Sequence, residues 1–302
     1  SIGNICRMLS IELKSPVLVP HIRVLYHSRN PLSMFMATRP YDVVVYLSDG
    51  SIPLLGGRVN LLHMQVPFHN VNGSNWKNKL KLKTIHRVIV NSNFTKKIVD
   101  SEYGIDSFVL YPPVSSNNKV GAKEKIILSV GRFEPSLNVK KQDVLINAFK
   151  KISSTLSDWK LVLVGGSTED NWIKELNNQA AGYNIDILPN VDSTTLVDLY
   201  GKASIYWHAA GYGVDEARSP ELVEHFGIST VEAIAARSIP LVYRAGGQTE
   251  IVKHDDLLWE TIDELVNKTI NLTNQSFNDY ESVLKIDSFS EEAFKNTLKT
   301  LL

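Results

Sequence analysis

Short apolar runs that end in glycine, asparagine or serine alternate along the chain with stretches whose apolar residues recur every three to four positions. Near-continuous apolar runs suit strands covered on both faces, and the alternation is that of parallel α/β units. In the second half these runs are KIILSV (125–130), KLVLV (160–164), IDIL (185–188), ASIYWH (203–208) and IPLVY (239–243). Between the first two, Leu145, Ala148, Phe149 and Ile152 repeat at i, i+3, i+4 and i+7, which predicts a helix lying on the sheet. The first half repeats the theme in DVVVYL (42–47), VNLLHMQV (59–66) and HRVIV (86–90). The pattern therefore predicts an α/β protein with two doubly wound, Rossmann-like sheets.

The pattern breaks at VLYPPVSSNNKVGAKEK (109–125), where a Pro-Pro pair and a polar run stop regular structure. This places a boundary near residue 115, with an N-terminal domain over 1–115 and a C-terminal domain over 116–287. The last segment, SFSEEAFKNTLKTLL (288–302), has a capping serine, acids in its first turn, and Phe294, Leu298 and Leu301 on one stripe. It is expected to be a helix that crosses back onto the first domain. At the other end, SIGNICRMLSIELK reads as a glycine-containing turn running into a helix without the strand that a Rossmann-like unit places before it. The first domain is accordingly expected to be incomplete.

Composition narrows the partner. Lysine plus arginine equals aspartate plus glutamate at 32 each, so no net field draws in nucleic acid, and a small molecule is the expected ligand. The single cysteine, Cys6, rules out a disulfide framework and a cysteine cluster for zinc or iron–sulfur. With no apolar stretch of membrane-spanning length and no cleavable secretion signal, the expected setting is cytoplasmic. The Asn-X-Ser/Thr triplets at Asn72, Asn93, Asn267, Asn271 and Asn274 are then read as composition, not glycan acceptors.

Chemistry concentrates in EHFGISTVEAIA (224–235), which sets Glu224 and Glu232 eight positions apart. Taken alone, Glu232 completes a capping box with Ser229 as N-cap, and Glu224 is a solvated loop acid. The neighbours alter that picture. Gly227 lets the backbone approach a ligand, and the helix start at Ile228, Ser229 and Thr230 offers free amides and a positive dipole end to an anion such as phosphate.

This stretch resembles the E-x7-E motif of the family 4 (group 1) glycosyltransferases, whose GT-B architecture is two Rossmann-like domains facing each other across a cleft. SVGRFEP followed by KKQDVLINAF resembles the family's phosphate-binding element, mapping onto Gly131, Arg132 and Lys140, with Lys141 as the neighbouring candidate. VGG (164–166), NVDSTTLVDLYGKA (190–203) and AGGQTEIV (245–252) follow in the family's order, as do VNSNFTKKIV and YGIDSFVLYPPV before them. The resemblance covers roughly residues 86 to 302.

The resemblance implies transfer of a hexose, with retention of anomeric configuration, from a GDP- or UDP-linked sugar to a sugar or lipid-linked glycan. Mannose from GDP-mannose is the preferred sugar, because the closest-looking segments occur in mannosyltransferase-like members, with glucose or N-acetylglucosamine from UDP as the alternatives. Glu224, Arg132 and Lys140 would be catalytic, and Glu232 would take the ribose hydroxyls. Gly227, Ile228, Ser229, Thr230, Gly131, Gly166, Val191 and Lys141 would complete the donor site. No D-x-D occurs in the chain, so no metal and no cofactor beyond the donor is expected, and fixed cations with helix-start amides would receive the leaving charge.

On the acceptor side, NLLHMQVPFHN puts Gln65 where the family often has a histidine, leaving His63 and Gly3 as further sugar contacts, with His208 and His225 at cleft-facing ends. Lys77, Lys79, Lys81 and Lys83 form either a solvated helix face or a peripheral contact with the inner face of a membrane. The rival readings are a GT-B nucleotide-sugar epimerase or hydrolase and a non-catalytic sugar-nucleotide-binding subunit. A Rossmann dehydrogenase is disfavoured, since no G-x-G-x-x-G follows the strands.

Overall fold

The computed structural model describes residues 30–114, 120–136 and 139–302. Gly3 and the turn–helix expected near the N-terminus lie outside the described residues. The apolar runs of the first half become strands β1 (Val43–Ser48), β2 (Val59–Met64) and β3 (Arg87–Val90), joined by the two-residue β4 (Phe108–Val109). They form one parallel sheet in the order β1-β2-β3-β4.

Because successive strand side chains point to opposite faces, β2 feeds two cores at once. Leu62 and Met64 join Val88, Val90, and Val99 and Tyr103 of helix Asn93–Tyr103. Leu61 joins Ile89, Leu110, and Phe294, Leu298 and Leu301 of the terminal helix Glu291–Leu301. The last helix thus packs on the first sheet, capped by the Ser290 hydroxyl, which accepts from the Ala293 amide.

The second half forms β5 (Glu124–Val130), β6 (Lys160–Gly165), β7 (Ile185–Pro189), β8 (Ala203–His208), β9 (Ile239–Tyr243) and β10 (Leu258–Trp259). All six are parallel, in the order β10-β9-β8-β5-β6-β7. The predicted helix is Gln142–Ile152, and Leu145, Ala148, Phe149 and Ile152 are its buried face. From β5 the chain moves outward through β6 and β7, then returns to lay β8 on the other side of β5. That reversal is a topological switch point, and the crevice beyond the carboxyl ends of the strands flanking it is where open parallel sheets bind ligands. Here those ends are Val130 and His208.

Two local features hold this sheet, one at each end of its strands. Lys123 donates to the carbonyl oxygens of Ala203 (2.8 Å) and Ala236 (2.6 Å), the C-cap residues of helices Ser193–Lys202 and Ile228–Ala235, so one ammonium ties both helix ends to the start of β5. Gly165, at the end of β6, leaves no room for a side chain, since a Cβ there would collide with the Gly131 carbonyl oxygen. Gly165→Ala is expected to destabilise the protein by about 1–3 kcal/mol, seen as a lower urea midpoint with an unchanged m-value. Gly166→Ala is the control, because its Cβ would meet nothing nearer than Asn190 Oδ1 at 3.9 Å. A lowered midpoint for both variants, or for neither, would sink the packing explanation.

Candidate functional site

A cleft of about 1100 Å³ opens at the switch point, lined from one side by β2, β3 and their following loops and from the other by the ends of β5, β6, β7 and the Glu224–Glu232 segment. That volume is at the upper end for small-molecule sites and large enough for a nucleotide sugar. At its floor Glu224 is met by two partners. The Lys140 ammonium is ion-paired to Glu224 Oε2, and His208 Nε2 lies 2.9 Å from the same oxygen. His208 is 2% exposed, and burial lowers its pKa further than Glu224 raises it. A neutral ring facing a carboxylate carries its proton on Nε2, as the carboxylate can only accept. Burial acts to raise the Glu224 carboxyl, but Lys140 and then His208 more than offset it and hold it well below the usual carboxylate range.

The Glu224 backbone is fixed from behind. Gly247 donates its amide to the Glu224 carbonyl at 2.8 Å, and Gly246, at φ +57°, leaves no space for a Cβ against that same oxygen. The AGG turn is thus a backing plate for the acid.

Three residues on, Gly227 starts helix Ile228–Ala235 at φ +115°, a conformation open chiefly to glycine, with no side-chain cap. This corrects the capping-box reading. Ser229 lies inside the helix, and its hydroxyl is 2.8 Å from Tyr206 OH. Glu232 Oε2 instead accepts from Tyr200 OH at 2.8 Å. Burial raises the Glu232 carboxyl, an effect that the Tyr200 hydroxyl only partly offsets. The first helix amides are left facing the cleft, a ready anion site.

Arg132 is exposed on the cleft wall and has no ion-pair partner among the described residues. Its position follows from Gln142, a buried side chain donating to the Arg132 carbonyl at 2.9 Å. Asn190, in the left-handed region at φ +56°, brackets the Gly166 loop by accepting from the Ser167 amide (2.9 Å) and donating to its carbonyl (3.0 Å).

From the first half come Gln65, His63 and Asn91. His63 is buried, its pKa pushed down to about 4 by burial, and its Nε2 has no partner among the described residues. It is therefore a neutral donor or acceptor at physiological pH.

The fold thus gathers Arg132, Lys140, Glu224, Glu232, Gly227, Ile228, Ser229, Gly131, Gly166, Val191, Gln65 and His63 around one cleft. Thr230 and Lys141 fall outside it. Thr230 is fully buried in its helix, and Lys141 is the left-handed N-cap residue (φ 53°) of helix Gln142–Ile152. Tyr200, Tyr206, Asn91 and Asn190 escaped sequence reasoning, because nothing in a buried strand or helix separates a tyrosine that orients a site from one that fills a core. His208, expected to face the cleft, instead sits beneath Glu224.

Two parallel α/β sheets facing across a cleft, with cations and an uncapped helix start at the switch point, define a GT-B protein. Solved GT-B structures superpose on it: the crystal structure of TarM covers 90% of this chain and 57% of its own at TM-score 0.68 and 17% identity. An alpha,alpha-trehalose 6-phosphate synthase from Burkholderia multivorans covers 90% and 73% at TM-score 0.69 and 8% identity. Residues 114–284 match the family described as glycosyl transferases group 1, and the chain belongs to that family. A Dictyostelium discoideum protein named GDP-Man:Man(3)GlcNAc(2)-PP-Dol alpha-1,2-mannosyltransferase is 30% identical over 203 residues, 59% of this chain. The match spans 38% of that relative's length.

Proposed function

We propose that this chain forms the donor cleft of a retaining, metal-independent glycosyltransferase that moves mannose from GDP-mannose to a lipid-linked glycan. The observation that carries this reading is the Lys140–Glu224–His208 cluster beside the uncapped start of helix Ile228–Ala235, at the switch point. As the bond from the anomeric carbon to the diphosphate oxygen breaks, negative charge grows on the leaving group. Arg132, Lys140 and the helix amides line the cleft and would meet that charge, which donors held in a partly dry site stabilise strongly. Lys140 would then exchange Glu224 for phosphate, freeing the carboxylate for the sugar hydroxyls, while Glu232 takes the ribose. GDP-mannose and a lipid-linked acceptor are supported by the name of the Dictyostelium relative.

The proposal is tested by incubating the protein with GDP-mannose and a lipid-linked oligosaccharide, with and without EDTA, and assigning the product anomer by NMR. Retained configuration and EDTA-indifferent transfer are the expected results. Inversion would remove the retaining mechanism, loss with EDTA the metal independence, and nucleotide binding without GDP release the enzyme reading itself.

A pH dependence follows from Glu232. Its raised carboxyl accepts ribose hydroxyls best when ionised, so nucleotide affinity should fall as pH drops through that raised value, earlier than for an ordinary glutamate. Glu232→Gln should bind about ten- to a hundredfold more weakly at neutral pH and lose this dependence, as titration calorimetry across pH would reveal. A Gln variant retaining the acid-side decline would assign it elsewhere.

A further inference from the structure

The basic stretch of the first half becomes helix Trp76–Leu82, and its two sides differ sharply. Leu82 packs on the core of Leu62, Val88 and Tyr103, and Asn78 Nδ2 donates to the Gly73 carbonyl. The opposite side carries Trp76 and Leu80, 68% and 52% exposed and one turn apart. At roughly 100° per residue, Lys79 and Lys83 flank this apolar pair on one side and Lys77 and Lys81 on the other. None of these four lysines has an ion-pair partner among the described residues. The charge is regional as well: residues 50–99 contain no aspartate or glutamate, although the whole chain is balanced. Glu102, which meets the loop before the helix, is engaged by the amides of Asn70, Val71 and Gly73.

We infer that the Trp76–Leu80 face is a docking surface for an anionic lipid bilayer. Trp76 and Leu80 would enter the interface while the lysines on both flanks, stems on the apolar side and ammonium groups outward, meet lipid phosphates. Charge complementarity selects this occupant, since an apolar pair ringed by unpaired cations suits an anionic surface better than a second copy of the same basic face. The topology gives the surface a use. The chain leaves the cleft rim at Gln65 and Val66 and enters the helix ten residues later, at Trp76, so the helix lies in the crossover between β2 and β3, whose following residues line the cleft. Docking through this crossover would bring the half of the chain that contributes Gln65, His63 and Asn91 to the cleft up to the bilayer, where a lipid-borne acceptor resides. The inference deepens the lipid-linked-acceptor reading, yet vesicle binding is read without sugar transfer, so the two fail separately.

The test is co-sedimentation of the full chain with phosphatidylcholine vesicles containing none or about 30% phosphatidylserine, at about 0.1 M salt, together with tryptophan emission. Trp159, Trp207 and Trp259 are buried and Trp172 is partly buried, so a blue shift on binding should come mainly from the exposed Trp76 and vanish in Trp76→Phe. Binding to the anionic vesicles alone is expected, about a hundredfold weaker in the Lys77/Lys79/Lys81/Lys83→Gln variant and weakened also in Trp76→Ser/Leu80→Ser, with GDP affinity unchanged. Absence of wild-type binding, equal binding to neutral vesicles, or binding undiminished in both variants would overturn the inference.

Discussion

Lys140→Ala is expected to lower sugar turnover about 10²- to 10³-fold at saturating donor, the scale seen when one fixed donor is removed from a site of developing negative charge. The loss has two sources. The diphosphate loses a cation, and Glu224 loses the group that most strongly opposes the effect of its burial. Without Lys140, burial drives the Glu224 carboxyl upward, with only the neutral His208 ring left to support the carboxylate. At saturating donor the variant should therefore lose turnover progressively as pH falls, over a range where Glu224 of the wild type, with its depressed carboxyl, stays ionised. Lys140→Arg should keep part of the rate, since it restores the charge. Turnover within about threefold of wild type in Lys140→Ala, with an unaltered pH profile, would remove Lys140 from the machinery.

The second large effect is expected at a residue that touches neither donor nor acceptor in the proposed reaction. Glu250, on the short helix Gln248–Ile251 just beyond the glycine turn that backs Glu224, reaches across to the first half. Its carboxylate accepts from the Asn93 amide (2.9 Å), the Phe94 amide (2.6 Å), Asn93 Nδ2 (3.0 Å) and Tyr111 OH (3.0 Å). A negative charge at the start of helix Asn93–Tyr103 is favoured by the helix dipole, and hydrogen bonds to charged groups are worth about 1.5–3 kcal/mol each. Glu250→Ala should shift the two halves toward separation, lowering kcat/KM about ten- to a hundredfold with a larger radius of gyration in solution scattering. Nucleotide affinity should change little, because the donor residues lie on the second half. An unchanged radius and unchanged kcat/KM would show that Glu250 is only a surface acceptor.

How much of this was legible in the sequence depends on length and locality. ASIYWH and IPLVY match β8 and β9 residue for residue, because short, mainly apolar runs between turn residues leave few alternatives. The two-residue strands at Phe108–Val109 and Leu258–Trp259 were not predicted, being too short to carry a periodic signal. Glu224, Arg132 and Lys140 could be named because ordered motifs surround them. Their pairing could not, since Lys140 and Glu224 lie 84 positions apart and only the β5–β8 crossover joins them. Ser229 misled for a local reason. Its spacing to Glu232 fits a capping box, but the positive φ of Gly227 starts the helix two residues sooner. Glu250 was invisible as a clamp, because its partners at Asn93, Phe94 and Tyr111 belong to the other half of the chain.

The donor-cleft reading is tested most directly by titration calorimetry of GDP, UDP and ADP, with and without magnesium, into this chain and its Arg132→Ala variant. The predicted result is tight GDP binding, indifferent to magnesium and at least about tenfold weaker without the Arg132 guanidinium. Binding of none of the three nucleotides, or of GDP with equal affinity to both proteins, would contradict it.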